Sequence, residues 1–502
     1  MSDPARVGAY GRHRLWEVVP GLLVWTTLVL SIVLSFAVPT AAIVFIIVFD
    51  LFWLFRVAYF TIFLFASWRR YRWTARTDWW AEVQKEPTWE RVRHLIFLPT
   101  YKEGTDILRE ALRSLAASRY DAHKLIVVLA GEARDRERFR AQAAELEREF
   151  ADAFSRLIVT EHPEDLPDEI PGKGSNLHWS ATVVKGILER EEPDLTPEDV
   201  VASSFDADTT VHPHYFAHLT WLYLRTPDRL HTSYQPVALF SNNIWTAAAP
   251  VRIAAFGTTF WLMTELARPE RLWTFSSHSM PWKMLLDVGF WQKDVVSEDS
   301  RIFLQAFLHY HGNYRVTPVY LPVSMDSVGG TSYRESLKAL YRQQRRWAWG
   351  VEHFPVMVKA FRKDPLIPRR KKIQYLWNHL EGMYTWATAP LLIFILGRLP
   401  LYVTAGSESA LIQAAPFTLQ WIMRLAMTGV FVSAILSLTI LPPRPKSVHA
   451  STWIVMLLQW MLLPVTFVVF GALPAIDAQT RLMLGKYLGF NVTTKVRGTK
   501  KT

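Results

Sequence analysis

Residues 21–65 read GLLVWTTLVLSIVLSFAVPTAAIVFIIVFDLFWLFRVAYFTIFLF, a run so poor in polar side chains that it suits a lipid interior rather than water. It is long enough for two membrane helices and breaks near Val38-Pro39-Thr40. It is also far too long for a secretory signal peptide. Further apolar stretches lie at about 376–404, 416–441 and 452–474, whereas residues 75–370 hold no comparable run. The sequence therefore predicts an N-terminal segment over 1–18, two transmembrane helices within 19–68, a water-facing domain over 75–333, a basic connecting region over 334–372, more transmembrane helices over 374–474, and a tail over 475–502.

Charge orients this arrangement. The chain has 56 Lys and Arg against 45 Asp and Glu, a net charge of +11. Much of the excess flanks the apolar blocks, as Arg69, Arg70 and Arg72 and then Arg369, Arg370, Lys371 and Lys372. That positive-inside pattern places the 1–18 segment and the 75–333 domain in the cytosol, with the chain integral to a membrane, by expectation a bacterial inner membrane. The same placement argues against nucleic acid as the partner of the basic residues, which would make affinity strongly salt-dependent. A transporter is disfavoured because the apolar segments carry few charges; Arg56 and Arg424 are exceptions that can snorkel or pair. With no cysteine, disulfides and thiolate metal sites are excluded.

Within the water-facing region, RHLIFLPTYKEG and HKLIVVLAG each run from a short apolar stretch into a loop, as buried parallel strands do. Between them TDILREALRSLAASRY has apolar residues at helical spacing, so an α/β sheet follows. A further strand, DVVASSFDADTT, runs directly into acids, and ligands of such sheets sit at the carboxyl ends of strands. On an extended backbone Asp206 and Asp208 project to the same side. They suit a hard cation, Mg2+ or Mn2+, and equally suit a solvated strand end. His212 and His214 lie just downstream, as an added ligand or as loop histidines. Glu298 and Asp299 form a second acidic pair; a carboxylate there could serve as a general base or simply favour a helix N-terminus.

The motifs LPTYKEG, GKGSNL, DAD, SED and QQRRW occur in the order found in membrane-integrated family 2 glycosyltransferases, which this chain resembles. That group includes cellulose, chitin and hyaluronan synthases and some glycolipid glucosyltransferases. The resemblance implies a GT-A, Rossmann-like domain inserted between transmembrane helices, with interfacial amphipathic helices. It implies that Thr100, Tyr101 and Glu103 hold the uridine of a nucleotide-sugar and that Lys173 contacts nucleotide or phosphate, with Asn176 nearby. It assigns Asp206 to the donor phosphates, Asp206 and Asp208 to the metal, and Asp299 to the catalytic base beside Glu298. Arg346 would hold the diphosphate, and Gln343 and Trp347 the acceptor end. One departure stands out: where many relatives have an acidic pair after the second strand, this chain has Ala130 and Gly131, with Glu132 as a candidate substitute.

Residues 334–347 place Arg334, Lys338, Arg342 and Arg346 at i, i+4 steps, with Leu337, Leu340, Tyr341 and Trp347 on another part of the helical surface. A basic amphipathic helix beside membrane segments suits the lipid interface, and Arg342 and Arg345 are expected at that surface. At the far end, F-x-V-T-x-K occurs as Phe490, Val492, Thr493 and Lys495. By resemblance to cellulose synthases this is a gating loop, with Lys495 on the diphosphate and Thr493 near it; a basic tail is the alternative. The basic tail argues for an inside C-terminus, whereas three crossings after the domain would leave it outside. One apolar segment is therefore expected to be re-entrant, with 452–474 the candidate. No C-terminal nucleotide-sensing domain is expected.

The function expected from this resemblance is inverting transfer of a hexose from a nucleoside-diphosphate sugar, a UDP-sugar by preference, to a growing polysaccharide. A single addition to a lipid acceptor is the alternative. Partner subunits are not specified by the sequence.

Overall fold

The computed structural model describes residues 10–406 and 409–489. The first apolar block forms α1 (Arg14–Ala37) and α2 (Pro39–Thr74), with the break at Val38. At 36 residues α2 is about 54 Å long, more than a bilayer core requires, so its end carrying Arg69, Arg70 and Arg72 reaches into the polar domain.

That domain is built on one eight-stranded sheet of order β3-β2-β1-β4-β7-β6-β8-β5. The strands are β1 (Arg93–Pro99), β2 (Leu125–Glu132), β3 (Arg156–His162), β4 (Val200–Ser204), β5 (Thr210–Val211), β6 (Thr232–Leu239), β7 (His278–Pro281) and β8 (Arg315–Ser324). β1 pairs in parallel with both β2 and β4. Because the chain winds outward from β1 to β3 and then returns to β4 on the other flank, the sheet has its switch point between β1 and β4. Loops leaving those two strands face a common crevice, where such sheets bind ligands. Helices α3 (Thr105–Ala116), α4 (Arg136–Glu149), α5 (Lys173–Glu191) and α6 (Tyr215–Arg225) cover the sheet. This is a Rossmann-like GT-A architecture between apolar helices, as expected from the sequence.

A helix the sequence reading did not single out, α7 (Ala249–Leu266), ties the two halves together. Its apolar residues are not confined to one stripe, because it is covered on opposite sides: Thr259 donates to the carbonyl of Ala238 on β6 at 2.8 Å, and Arg252 donates to Gln459 of the C-terminal helical run at 2.7 Å. Just beyond it, buried Arg268 pairs with Glu265 at 2.5 Å and faces the rings of Tyr59, Phe60 and Phe63 on α2.

After α8 (Glu298–His309) and α9 (Tyr333–Ala348), the chain returns to long apolar helices α10 (Arg369–Phe394) and α11 (Ala410–Thr439) and a helical run over 452–484 that ends in α12 (Leu473–Leu484). Among the described residues, α1, α2, α11 and the 452–484 run are each long and apolar enough to cross a membrane. They expose Phe36, Phe55, Ile62, Phe431 and Met461, the kind of belt that lipid covers. α10 and the short helix Leu399–Val403 meet at a 42° bend, a broken span or re-entrant loop. The sharp break thus falls near Ile395 rather than within 452–474, where 3-10 and π turns keep the helical run going.

Candidate active site

Lys173 is the first residue of α5, and its ammonium sits among carboxylates from two other elements. Nζ lies 2.7 Å from Asp206, 2.9 and 3.1 Å from the two oxygens of Asp299, and 3.9 Å from Glu298. Burial disfavours the charge on Lys173, but Asp206, Asp299 and Glu298 outweigh it and hold the pKa above the usual lysine value. Glu298 is 2% exposed, and burial first, then repulsion from Asp299, push its carboxyl up to about 8. Two adjacent acids are therefore in different environments: burial holds back ionisation of Glu298, while Asp299 shares the lysine. Gly174 permits this approach, since a Cβ there would lie 3.1 Å from the Glu298 Cβ and 3.0 Å from the carbonyl of Gln292.

The D-A-D stretch departs from the extended geometry expected of it. β4 ends at Ser204, and the Thr209 N–H closes a turn onto the Asp206 carbonyl at 2.9 Å. Asp206 accepts from Lys173 and, at 2.6 Å, from Ser276; Asp208 is buried and accepts the Asp326 N–H at 2.8 Å. Both still line one cavity. Among the described residues no group of three or more His, Cys, Asp or Glu is placed to hold a metal ion. His212 and His214 do not line the cavity; burial lowers both pKa values, that of His212 to about 4.

The loop after β1 folds on itself: Thr100 Oγ1 and the Tyr101 N–H donate to Glu103 at 3.0 and 2.6 Å. The Tyr101 ring lies 4.5 Å from the Arg134 guanidinium. Arg134 in turn donates to Glu132 at 2.6 Å, so the candidate substitute carboxylate is already ion-paired. Position 131 could not carry an acidic side chain, because a Cβ there would lie 2.2 Å from the Phe139 ring. Asn176 is buried and donates to the Ala130 carbonyl at 2.8 Å, which also accepts the Thr100 N–H. Behind this pocket, buried His162 lies 3.0 Å from Glu169 and 3.7 Å from Glu132, a cluster the sequence reading missed. Burial opposes charge on His162, but the two carboxylates prevail and raise its pKa to about 9.

Gln343, Arg346 and Trp347 reach the same cavity from α9, with Trp347 packed edge-on against Phe275 at 5.6 Å. Arg342 is exposed, as expected of an interfacial residue, but Arg345 is not at the surface: it pairs with Asp477 of α12 at 2.9 Å. An acid on a helix 132 residues later pairs with its charge, and both side chains are half-buried. Thr493 and Lys495 lie outside the described residues.

The cavity measures about 970 Å³ and runs without interruption from these carboxylates into the space between α2, α10 and α11. Six tryptophans line it: Trp53, Trp261, Trp273, Trp347, Trp386 and Trp460. Between the long apolar helices Arg56 is neutralised by Glu381, whereas Asp50 is 5% exposed and its Oδ1 has no hydrogen-bond partner among the described residues.

Residues 204–474, more than half of the chain, match the family described as Glycosyl transferase family group 2. No curated protein matches. Among solved structures, a mannosyltransferase from Pyrobaculum calidifontis in complex with GDP-Man and Mn2+ is 17% identical, with a TM-score of 0.43 over 76% of this chain and 99% of that one. S. aureus TarS 1-349 in complex with UDP-GlcNAc is 13% identical, with a TM-score of 0.33 over 68% and 90% of the two chains.

Proposed function

The chain belongs to glycosyl transferase family group 2, and on that premise we propose that it is an inverting hexosyltransferase of a bacterial inner membrane, with its GT-A domain in the cytosol. It transfers a hexose from a UDP-sugar to a growing polysaccharide. Asp299 accepts the proton of an acceptor hydroxyl as that oxygen bonds to the anomeric carbon from the face opposite the diphosphate. The bond from the anomeric carbon to the diphosphate breaks, and the nucleotide leaves with the electron pair. Lys173 and Arg346 face the charge that develops there. Tyr101, with Thr100 and Glu103, forms one wall of the nucleotide pocket, and Gln343 and Trp347 hold the acceptor's end.

Asp206 and Asp208 are hard oxygen donors on one cavity wall, which suits Mg2+ or Mn2+ if the donor's phosphate oxygens complete the shell. A cation there would supply Lewis-acid charge neutralisation to the leaving diphosphate.

The observation that carries the acceptor class is the cavity's membrane-depth lining. Tryptophan faces suit sugar rings. The unpartnered Asp50 oxygen suits a hydroxyl, and the neutralised Arg56 offers little to a lipid phosphate. The test uses membranes containing the protein, labelled UDP-glucose and UDP-N-acetylglucosamine, and both metals, with Asp299→Asn as the blank. Label in large, glycanase-sensitive material supports the reading; label confined to the solvent extract replaces it with a lipid acceptor. Loss of about 10²–10⁴-fold in turnover is expected for Asp299→Asn.

A further inference from the structure

Glu352 is 3% exposed, lies just beyond the Q-x-x-R-W motif and does not line the cavity, although its neighbour His353 does. Its carboxylate is nevertheless fully used. Oε1 accepts from the Ser297 N–H at 3.1 Å and from the Ser297 hydroxyl; Oε2 accepts from the Tyr10 hydroxyl at 2.5 Å and from Trp349 Nε1 at 2.9 Å. Four donors from three separate stretches of chain converge on one buried carboxylate, the full capacity of the group.

Ser297 is the N-cap residue of α8, whose first two residues are Glu298 and Asp299. A serine there ordinarily caps its own helix. This one makes no side-chain cap bond and gives its hydroxyl to Glu352 instead. One turn on, Ser300 meets His353 Nε2 at 2.7 Å, so two consecutive residues after Q-x-x-R-W grip the start of the helix that carries the acids. Around them, Ile170, Val296, Trp349 and Leu488 belong to one apolar cluster with Tyr10. Ile170 shortly precedes Lys173, Val296 precedes the acidic pair, and Leu488 precedes the F-x-V-T-x-K motif. Tyr10 itself stacks on Tyr487 at 4.7 Å.

We propose that Glu352 is a positioning residue for the transfer reaction: it fixes the first turn of α8, and hence the Asp299 carboxylate, and ties that turn to the 487–488 segment through Tyr10. This rests on Asp299 being the base. A buried carboxylate that accepts four hydrogen bonds determines where its donors sit, because moving any one of them strands a polar group. Glutamine has the same shape but presents donors on one side, so it must turn an N–H towards Ser297 or towards Trp349.

The test is Glu352→Gln in the full-length protein, with turnover, donor KM, UDP affinity and thermal stability measured, alone and combined with Asp299→Asn. The expected result is a turnover roughly ten- to a hundred-fold lower, donor KM and UDP affinity within two-fold of the original, and no added loss in the Asp299→Asn background. Glu352→Asp, which keeps the acceptors, restores part of the rate. Wild-type turnover by Glu352→Gln, with Asp299→Asn inactive, overturns the inference and leaves the base in place. Losses of UDP affinity and thermal stability that match the loss of rate also overturn it, since they describe a merely structural residue. Turnover by Asp299→Asn removes the base and this inference together.

Discussion

The two ends of one cavity solve the problem of buried polarity in opposite ways. At the end under the sheet, charge is dense and paired: one ammonium, Lys173, lies against Asp206 and Asp299, with Glu298 beside them, its ionisation held back by burial. At the membrane end, charge is sparse, Arg56 is cancelled by Glu381, and Asp50 faces the space with an oxygen lacking a partner. Fixed, mutually opposed charges at the first end are ready for a reaction that creates and moves charge, and cost little reorganisation when it does. A wide lining of aromatic faces with few charges offers no such chemistry. On the function proposed above, the difference separates bond making from acceptor accommodation.

The largest test of that contrast is Lys173→Met, which leaves Asp206 and Asp299 facing one another without a cation. Breaking a buried ion pair from one side costs about 3–5 kcal/mol of stability. The protein is expected to melt at lower temperature and to lose about 10²-fold in kcat/KM for the UDP-sugar. Thermal unfolding in detergent and donor kinetics read the two effects. Unchanged values for both would mean that Asp206 and Asp299 are held by something other than the lysine, and the paired-charge description would fail.

How Lys173 works could not be read from the sequence, although its presence in a G-K-G-S-N stretch could. Its partners are 33 and 126 residues away, and only the sheet's switch point brings α5, the β4 turn and α8 together. Local pattern did reveal β1, β2 and β4, because buried parallel strands are continuous apolar runs. It also located the acids after β4 and at the start of α8. It did not reveal α7, whose apolar residues face two partners and so lack a single stripe. Arg345 was misplaced for a related reason: a helical wheel shows which face a charge occupies, but not that Asp477 waits on a helix 132 residues later. Glu352 carried no signal at all, since a lone glutamate after a motif looks like surface.

At the membrane end, Asp50→Leu removes the carboxylate whose Oδ1 lacks a partner among the described residues and puts an apolar group of similar size in its place. Label recovered in large glycan is expected to fall about ten-fold, whereas Asp50→Asn, which keeps a hydroxyl acceptor, loses about three-fold or less. Product sizing by gel filtration after a fixed labelling time distinguishes the two. Equal product from all three proteins would make the membrane end a passive space and remove the reason for calling its acceptor a glycan.

The last test bears on stability alone and sharpens the end under the sheet. The Glu298 carboxyl titrates near 8 in the folded protein and near its ordinary 4.5 when unfolded. Between those values the folded state keeps a proton that the unfolded state has released, so this group makes the protein less stable as pH rises, and the loss levels off above about 8. Glutamine has the shape of the protonated acid and does not titrate. Glu298→Gln should therefore melt close to the original at pH 5 and above it at pH 8.5, the gap widening by about 1.4 kcal/mol of stability for each pH unit crossed below the folded value. Differential scanning fluorimetry across that range gives the curve. A difference that stays flat with pH would mean that Glu298 is ionised at neutral pH. Lys173 would then be balancing three anions rather than two, and the division of roles between the adjacent acids would disappear.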